Sequence, residues 1–163
     1  MKNKNIKRRS FLKATATAGI AYSTFPSPAI SKNILRWKMI TTWPKNFPGV
    51  GTTAEKIAQS ITKASDGRLE IKVYGAGEIV PAYEVFDAVR QGTAEMSHGW
   101  SGYWISKNPG LAYFGGLPGG LSPSEQSAWI LYGGGLKLWE ELLEPYSIQP
   151  FQAGLVQTEM FGW

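Results

Sequence analysis

Leu69-Glu70-Ile71-Lys72-Val73-Tyr74 alternates apolar and polar residues without a break, and Gly75-Ala76-Gly77 follows it. A period of two places alternate side chains on opposite faces, the pattern of a strand that closes at a glycine turn. Working back along the chain, Val50 to Ser65 repeats apolar residues at Val50, Ala54, Ile57, Ala58, Ile61 and Ala64. That spacing is one stripe of an amphipathic helix. Asp66-Gly67 ends it, with Gly67 read as the C′ residue. Before the helix, Leu35-Arg36-Trp37-Lys38-Met39-Ile40-Thr41 reads as an earlier strand, and Trp43-Pro44-Lys45-Asn46-Phe47-Pro48-Gly49 as a proline-stiffened loop. Two strands joined by a helix make a crossover unit, and such units build parallel sheets.

Forward of Gly77 the alternation continues. Pro81 opens a helix that carries Tyr83, Val85, Phe86 and Val89 and stops at Gly92. Thr93 to His98 is a third strand. Ser122-Pro123-Ser124-Glu125 has the N-cap, N1 proline and N3 glutamate of a capping box, and its helix runs to Tyr132. Gly133-Gly134-Gly135 is a turn between helices or a hinge. Leu136 to Pro145 is the next helix, and Ile148–Ala153 and Val156–Phe161 read as strands. The fold class is α/β, with helices packed on the faces of a sheet.

The chain has 163 residues, 43% of them apolar and 18% charged, enough for a sizeable core. It has no cysteine and one histidine. Disulfide frameworks, thiolate metal sites, thiol nucleophiles and multi-histidine metal sites are excluded. The net charge of +5 is misleading as a whole. Six of the seventeen cations and none of the twelve acids lie in residues 1–29, so the remainder carries a net charge of −1. The basic balance belongs to the leader and is no argument for a nucleic-acid partner.

That leader has a basic region, then Ala14 to Tyr22, then Ser27-Pro28-Ala29, the order of a secretory signal. Its apolar run of about nine residues is far below the ~20 that span a bilayer. Arg8-Arg9-Ser10-Phe11-Leu12-Lys13 resembles the twin-arginine export motif. Residues 1–29 are therefore expected to be a signal peptide and the mature protein periplasmic. The chain stops at Gly162-Trp163 inside an expected strand, so more chain is expected beyond it.

Gly75-Ala76-Gly77-Glu78 lacks the third glycine of a dinucleotide fingerprint and the Gly-Lys-Thr end of a phosphate loop. His98-Gly99-Trp100-Ser101-Gly102-Tyr103-Trp104 is the most informative stretch for function. It leaves the end of a strand, where open α/β sheets bind ligands, and it mixes aromatic walls with small residues. Plain loop packing is the competing reading. No sequence partner nominates His98 as a catalytic base, and no Gly-x-Ser-x-Gly elbow is present. His98 is either a hydrogen-bonding ligand contact or a structural histidine. Trp43 and Lys45 either cover and attract an anion or form a packed indole beside a solvated lysine. Gln157 and Glu159 share one strand face and either offer oxygens to a hard cation or lie solvated.

Many blocks in order carry a resemblance across residues 35–163. They include Trp43-Pro44-Lys45-Asn46, Gly67-Arg68-Leu69, Lys72-Val73-Tyr74 and Gly77-Glu78-Ile79-Val80-Pro81-Ala82. Further along come Glu84 to Val89, Gly92-Thr93-Ala94-Glu95-Met96, Tyr103-Trp104, Ala128-Trp129-Ile130 and Tyr132 to Gly135. The sequence resembles the solute-binding subunit of tripartite ATP-independent periplasmic (TRAP) transporters, DctP family, in its branch for 2-oxo acids and other monocarboxylates. The resemblance implies a two-lobed, clamshell periplasmic binding protein that is not an enzyme. Residues 30–154 would form its first lobe, and 155–163 would start the crossover to the second. It implies a small carboxylate ligand, sometimes bound with a sodium ion and no other cofactor, membrane permease subunits as partners, and room for a homodimer. Trp43, His98, Gly99, Trp100, Tyr103 and Gln157 are the expected ligand contacts, while the family's carboxylate-binding arginine would lie beyond Trp163. Leu155 stands where the family pattern has Asn, and Glu159 where it has Gln. A twin-arginine-exported cofactor enzyme, or a secreted carbohydrate or interaction module, are the competing readings.

Overall fold

The computed structural model describes residues 33–154. The expected signal peptide and the segment 155–163, with Gln157 and Glu159, lie outside the described residues. Three strands form one parallel sheet: β1 (Leu35–Thr41), β2 (Leu69–Tyr74) and β3 (Met96–His98), in the order β2-β1-β3. Leu35 faces Leu69 at one end of the β1–β2 pair, and Thr41 faces His98 at the end of the β1–β3 pair. The first crossover is α1 (Val50–Ala64) and the second contains α2 (Val85–Arg90). Parallel neighbours need such crossovers, so the chain returns to the same end of the sheet before each strand.

Both faces of the sheet are covered, and the central strand shows why. Met39 and Ile40 are adjacent, point to opposite faces and are 1% and 2% exposed. Met39 packs with Ala54 and Ala58 of α1 and with Val73. Ile40 packs with Val85, Phe86, Trp104, Leu111 and Leu143 in the larger core. The stripe read from Val50 to Ala64 is thus the face α1 lays on the sheet, although its last member, Ala64, is exposed. The α1 terminus is one step off the expectation. Ser65 is the C-cap and Asp66 already has positive φ, with Gly67 after it; the Gly67 N–H closes back on Thr62 O at 2.9 Å.

The second half of the chain is helical. A short α3 (Ala112–Gly115) precedes α4 (Pro123–Tyr132) and α5 (Gly135–Leu143). The capping box is formed: the Ser122 hydroxyl accepts from the Glu125 N–H, and the Glu125 carboxylate accepts from the Ser122 N–H at 2.8 Å. The Ser122 hydroxyl also donates to the Glu125 carboxylate at 2.6 Å, and this bond, followed by that from the Ser122 N–H, holds the Glu125 carboxyl below its ordinary range. The triple glycine is the turn between α4 and α5, with Gly134 left-handed. Phe114 lies between Trp129 and Trp139, stacked on both at centroid distances of 5.3 and 5.1 Å.

Three expectations are corrected. Ile148–Ala153 is not a strand. Pro150 has no N–H for a ladder, and the segment is instead held along the helices by Gln149 to Glu140 (2.6 Å) and Ser127 to Gln152 (3.2 Å). The third strand is only Met96–His98 because Thr93 and Glu95 are occupied elsewhere: the Lys38 ammonium donates to Thr93 O and the Lys38 N–H to the Glu95 carboxylate. The Pro81 helix begins as a 3₁₀ turn, Ala82–Glu84, and Tyr83 points outward at 67% exposure while Val85 and Phe86 are buried.

Candidate functional site

The segments leaving the carboxyl ends of the three strands lie at one end of the sheet. Thr42 and Trp43 follow β1, Gly75 follows β2, and His98 ends β3 with Gly99 and Trp100 after it. They are cross-tied. The Thr42 N–H donates to His98 O at 3.2 Å, and the Ala76 N–H to Trp43 O at 2.9 Å. The buried Thr41 hydroxyl donates to Trp43 O at 2.7 Å. Gly75 is required by a close approach, since a Cβ there would sit 2.7 Å from the Lys45 amide nitrogen.

This arrangement brings Trp43 and His98 together edge to face, with ring centroids 5.0 Å apart. Three buried polar atoms in this corner have no hydrogen-bond partner: Thr42 Oγ1, Trp43 Nε1 and His98 Nδ1. An unmade bond on a buried polar group costs about 1–3 kcal/mol. Three of them at the carboxyl ends of two neighbouring strands make a corner suited to a ligand with hydrogen-bonding oxygens. Burial also holds the His98 imidazole below its ordinary 6.5, favouring the neutral ring.

The sign of that shift gives a stability prediction. Above the unfolded value near 6.5 both states are neutral and His98 costs nothing. As pH falls below it, the unfolded chain takes up a proton that the folded ring resists, so stability is lost as the pH drops through the folded value. Melting temperature is expected to fall from about pH 7 to pH 5, and His98→Gln is expected to flatten that part of the profile. An unchanged slope in the variant would assign the dependence to other groups.

A second group stands beside the corner. Trp100 and Tyr103 meet edge to face at 5.1 Å, and Tyr103 meets Tyr83 likewise at 5.2 Å. The Trp100 indole N–H donates to Gly115 O at 2.7 Å. Trp104 is buried below this group, packed on Phe86 and donating from its indole to Tyr83 O at 3.0 Å. Gly99 has a packing reason rather than an open approach: a Cβ there would come within 2.7 Å of the Trp104 ring and 3.0 Å of the Thr42 methyl.

Of the sequence candidates, the fold therefore joins Trp43 with His98 and Trp100 with Tyr103, and packs Gly99 between them. Sequence reasoning missed Thr42 in the corner, and outside the corner it missed the contact of Tyr83 with Tyr103. The signal for Thr42 was its place one residue past a parallel strand. A separate groove of about 640 Å³ lies between α4, α5 and residues 149–154 and holds none of these residues. Among the described residues, no group of three or more His, Asp or Glu could hold a metal ion. No helix among them is long and apolar enough to cross a membrane.

The parallel sheet, covered on both faces and bearing a polar–aromatic corner at its carboxyl end, defines an α/β ligand-binding domain. Residues 39–156 match the family model for bacterial extracellular solute-binding protein, family 7 (DctP), and the chain belongs to that family. It is 33% identical to the monocarboxylate 2-oxoacid-binding periplasmic protein of Nostoc sp. That match takes in the whole of this chain and 45% of the relative. It is similar to the crystal structure of a TRAP transporter solute-binding protein from Bordetella bronchiseptica, with TM-score 0.69 and 38% identity over 71% of this chain and 34% of that one. That protein was found with calcium and picolinate. It is similar as well to a TRAP periplasmic solute-binding protein from Pseudoalteromonas atlantica with bound sodium and pyruvate. There the TM-score is 0.70 and the identity 36%, over 72% of this chain and 36% of that one. The chain thus spans less than half the length of these relatives.

Proposed function

We propose that this chain is the first lobe of an extracytoplasmic solute receptor of a TRAP transporter. The receptor captures a small organic anion, a 2-oxo acid or a related monocarboxylate, and hands it to an ion-gradient-driven membrane permease. The observation that carries the reading is the corner of three unpartnered buried atoms, Thr42 Oγ1, Trp43 Nε1 and His98 Nδ1, at the carboxyl ends of neighbouring parallel strands. A hydroxyl, an indole N–H and a neutral imidazole converging there fit the oxygens of a carbonyl or carboxyl group. The pyruvate and picolinate carried by similar proteins support that ligand class, and their sodium and calcium support a cation bound with it. His98, Trp43, Trp100, Tyr103 and the packed Gly99 serve the first lobe's side of the cleft, and Gln157 contributes from the crossing segment.

The mechanism is capture by closure of two lobes on the anion, with no bond made or broken, so the receptor is not an enzyme. Residues 1–29 act as a twin-arginine export signal and the mature protein works in the periplasm, in keeping with the basic leader and with the periplasmic relatives. The test is thermal denaturation of the protein expressed from its complete reading frame. Millimolar pyruvate or another small 2-oxo acid is expected to raise the melting temperature, since ligand at about 100 times Kd adds about 2.7 kcal/mol. If no small monocarboxylate moved it, the ligand class would be wrong.

A further inference from the structure

From the ring geometry beside the corner we infer that Tyr83, Tyr103 and Trp100 form a subsite for a flat aromatic tail on the bound carboxylate, with Tyr83 as a specificity-determining residue. This rests on the proposed function above, which supplies the carboxylate.

Three observations support it. The rings are accessible: Tyr83, Trp100 and Tyr103 are 67%, 41% and 39% exposed. Large aromatics left this open and in mutual contact are a binding surface more than a packing remainder. The surface is also built rigidly. Trp100 is tied by its indole N–H to Gly115 O, and its ring fills the space over Gly102 and Gly115, where a Cβ would come within 2.5 and 3.0 Å of it. Tyr103 stands perpendicular to Trp100 (88°) and close to perpendicular to Tyr83 (79°). A ligand ring entering here finds a wall already set, and little side-chain freedom is lost on binding.

The third observation is continuity and charge. Trp100 follows His98 by two residues, and the Thr42 methyl and the Trp104 ring both close on the Gly99 between them, so that a Cβ there would meet each within 3.0 Å. The polar corner and the aromatic wall are therefore neighbours. The hydrogen bonds and ring contacts of Trp43, His98, Trp100, Tyr103 and Tyr83 are all to neutral groups. A wall of ring faces and edges with no cation beside it among the described residues favours a planar apolar tail over a second carboxylate. The occupant that fits is an aryl-substituted 2-oxo acid, bound head to the corner and ring to the wall.

The test is calorimetric titration of the protein from its complete reading frame with pyruvate and with phenylpyruvate. The wild type is expected to bind phenylpyruvate about two- to tenfold more tightly, the size of one edge-to-face ring contact. Tyr83→Ala is expected to remove that advantage and leave pyruvate affinity unchanged, and Tyr83→Phe to keep it. The Tyr83 ring is exposed and its carbonyl is unaffected by the change, so the variant retains the bond to Trp104. Binding of pyruvate with no gain for phenylpyruvate, or a gain that survives in Tyr83→Ala, would overturn the subsite and leave the receptor reading in place. Binding of neither acid would overturn both.

Discussion

Trp104→Ala is expected to destabilise the protein by about 3–5 kcal/mol, the usual cost of truncating a buried tryptophan. Trp104 is 7% exposed, so nearly all its surface is committed. The ring supports Phe86 at a centroid distance of 5.4 Å, and its far edge lies where a side chain on Gly99 would go. The indole N–H holds Tyr83 O at 3.0 Å. Trp104→Phe separates these roles. It keeps most of the bulk and leaves the Tyr83 carbonyl without its donor, for an expected loss of about 1–3 kcal/mol. Urea denaturation of the two variants measures both steps. A cost below about 1 kcal/mol for the alanine variant would mean that the segment 101–111 contributes little to the core.

Gly75→Ala is expected to cost about 1–3 kcal/mol as an overpacking change, and to weaken ligand binding as well. The added carbon would meet the Lys45 backbone nitrogen at 2.7 Å and the Lys45 Cβ at 3.2 Å. Backbone cannot step aside as a side-chain tip can, so the loop after β1 must move. Trp43 sits in that loop, tied to the next residue by the Ala76 N–H. Displacing it opens the 5.0 Å contact with His98. Gly77→Ala is the matched control for the space: nothing lies within 4 Å of a Cβ there, and its cost comes only from positive φ. Equal ligand affinity in the two variants would separate the loop position from the site.

The elements that could be read from sequence are those whose partners impose a simple period. β2 and α1 carry clean patterns because each buries one face against the other, Ile71 and Val73 of the strand meeting the helix stripe at Ala54 and Ala58. The start of α4 was legible because a capping box is local: Ser122 and Glu125 need only each other. The 3₁₀ turns at Ser101–Trp104 and Pro109–Leu111 have no period to read, and they are set by burial of Trp104 and Leu111. Residues 148–153 read as a strand although they lack a clean alternation, and Pro150 and two side-chain bonds to the helices decide otherwise. The pairing of Trp43 with His98 was legible because both stand at the carboxyl ends of neighbouring strands of one parallel sheet. Tyr83 was not, since it falls within an apolar helical stretch and its outward direction depends on a single 3₁₀ turn.

No two strands of this sheet are joined by a hairpin. Met39 waits for Met96, and Leu35 for Leu69, across whole crossovers. Closing such loops is entropically slow, while the α4–α5 hairpin can organise from neighbours alone. Thr42 and His98 therefore meet only once both crossovers have closed. A ribosome must release both crossovers before that contact can form, so the Thr42 N–H to His98 O bond is a mark of the completed sheet.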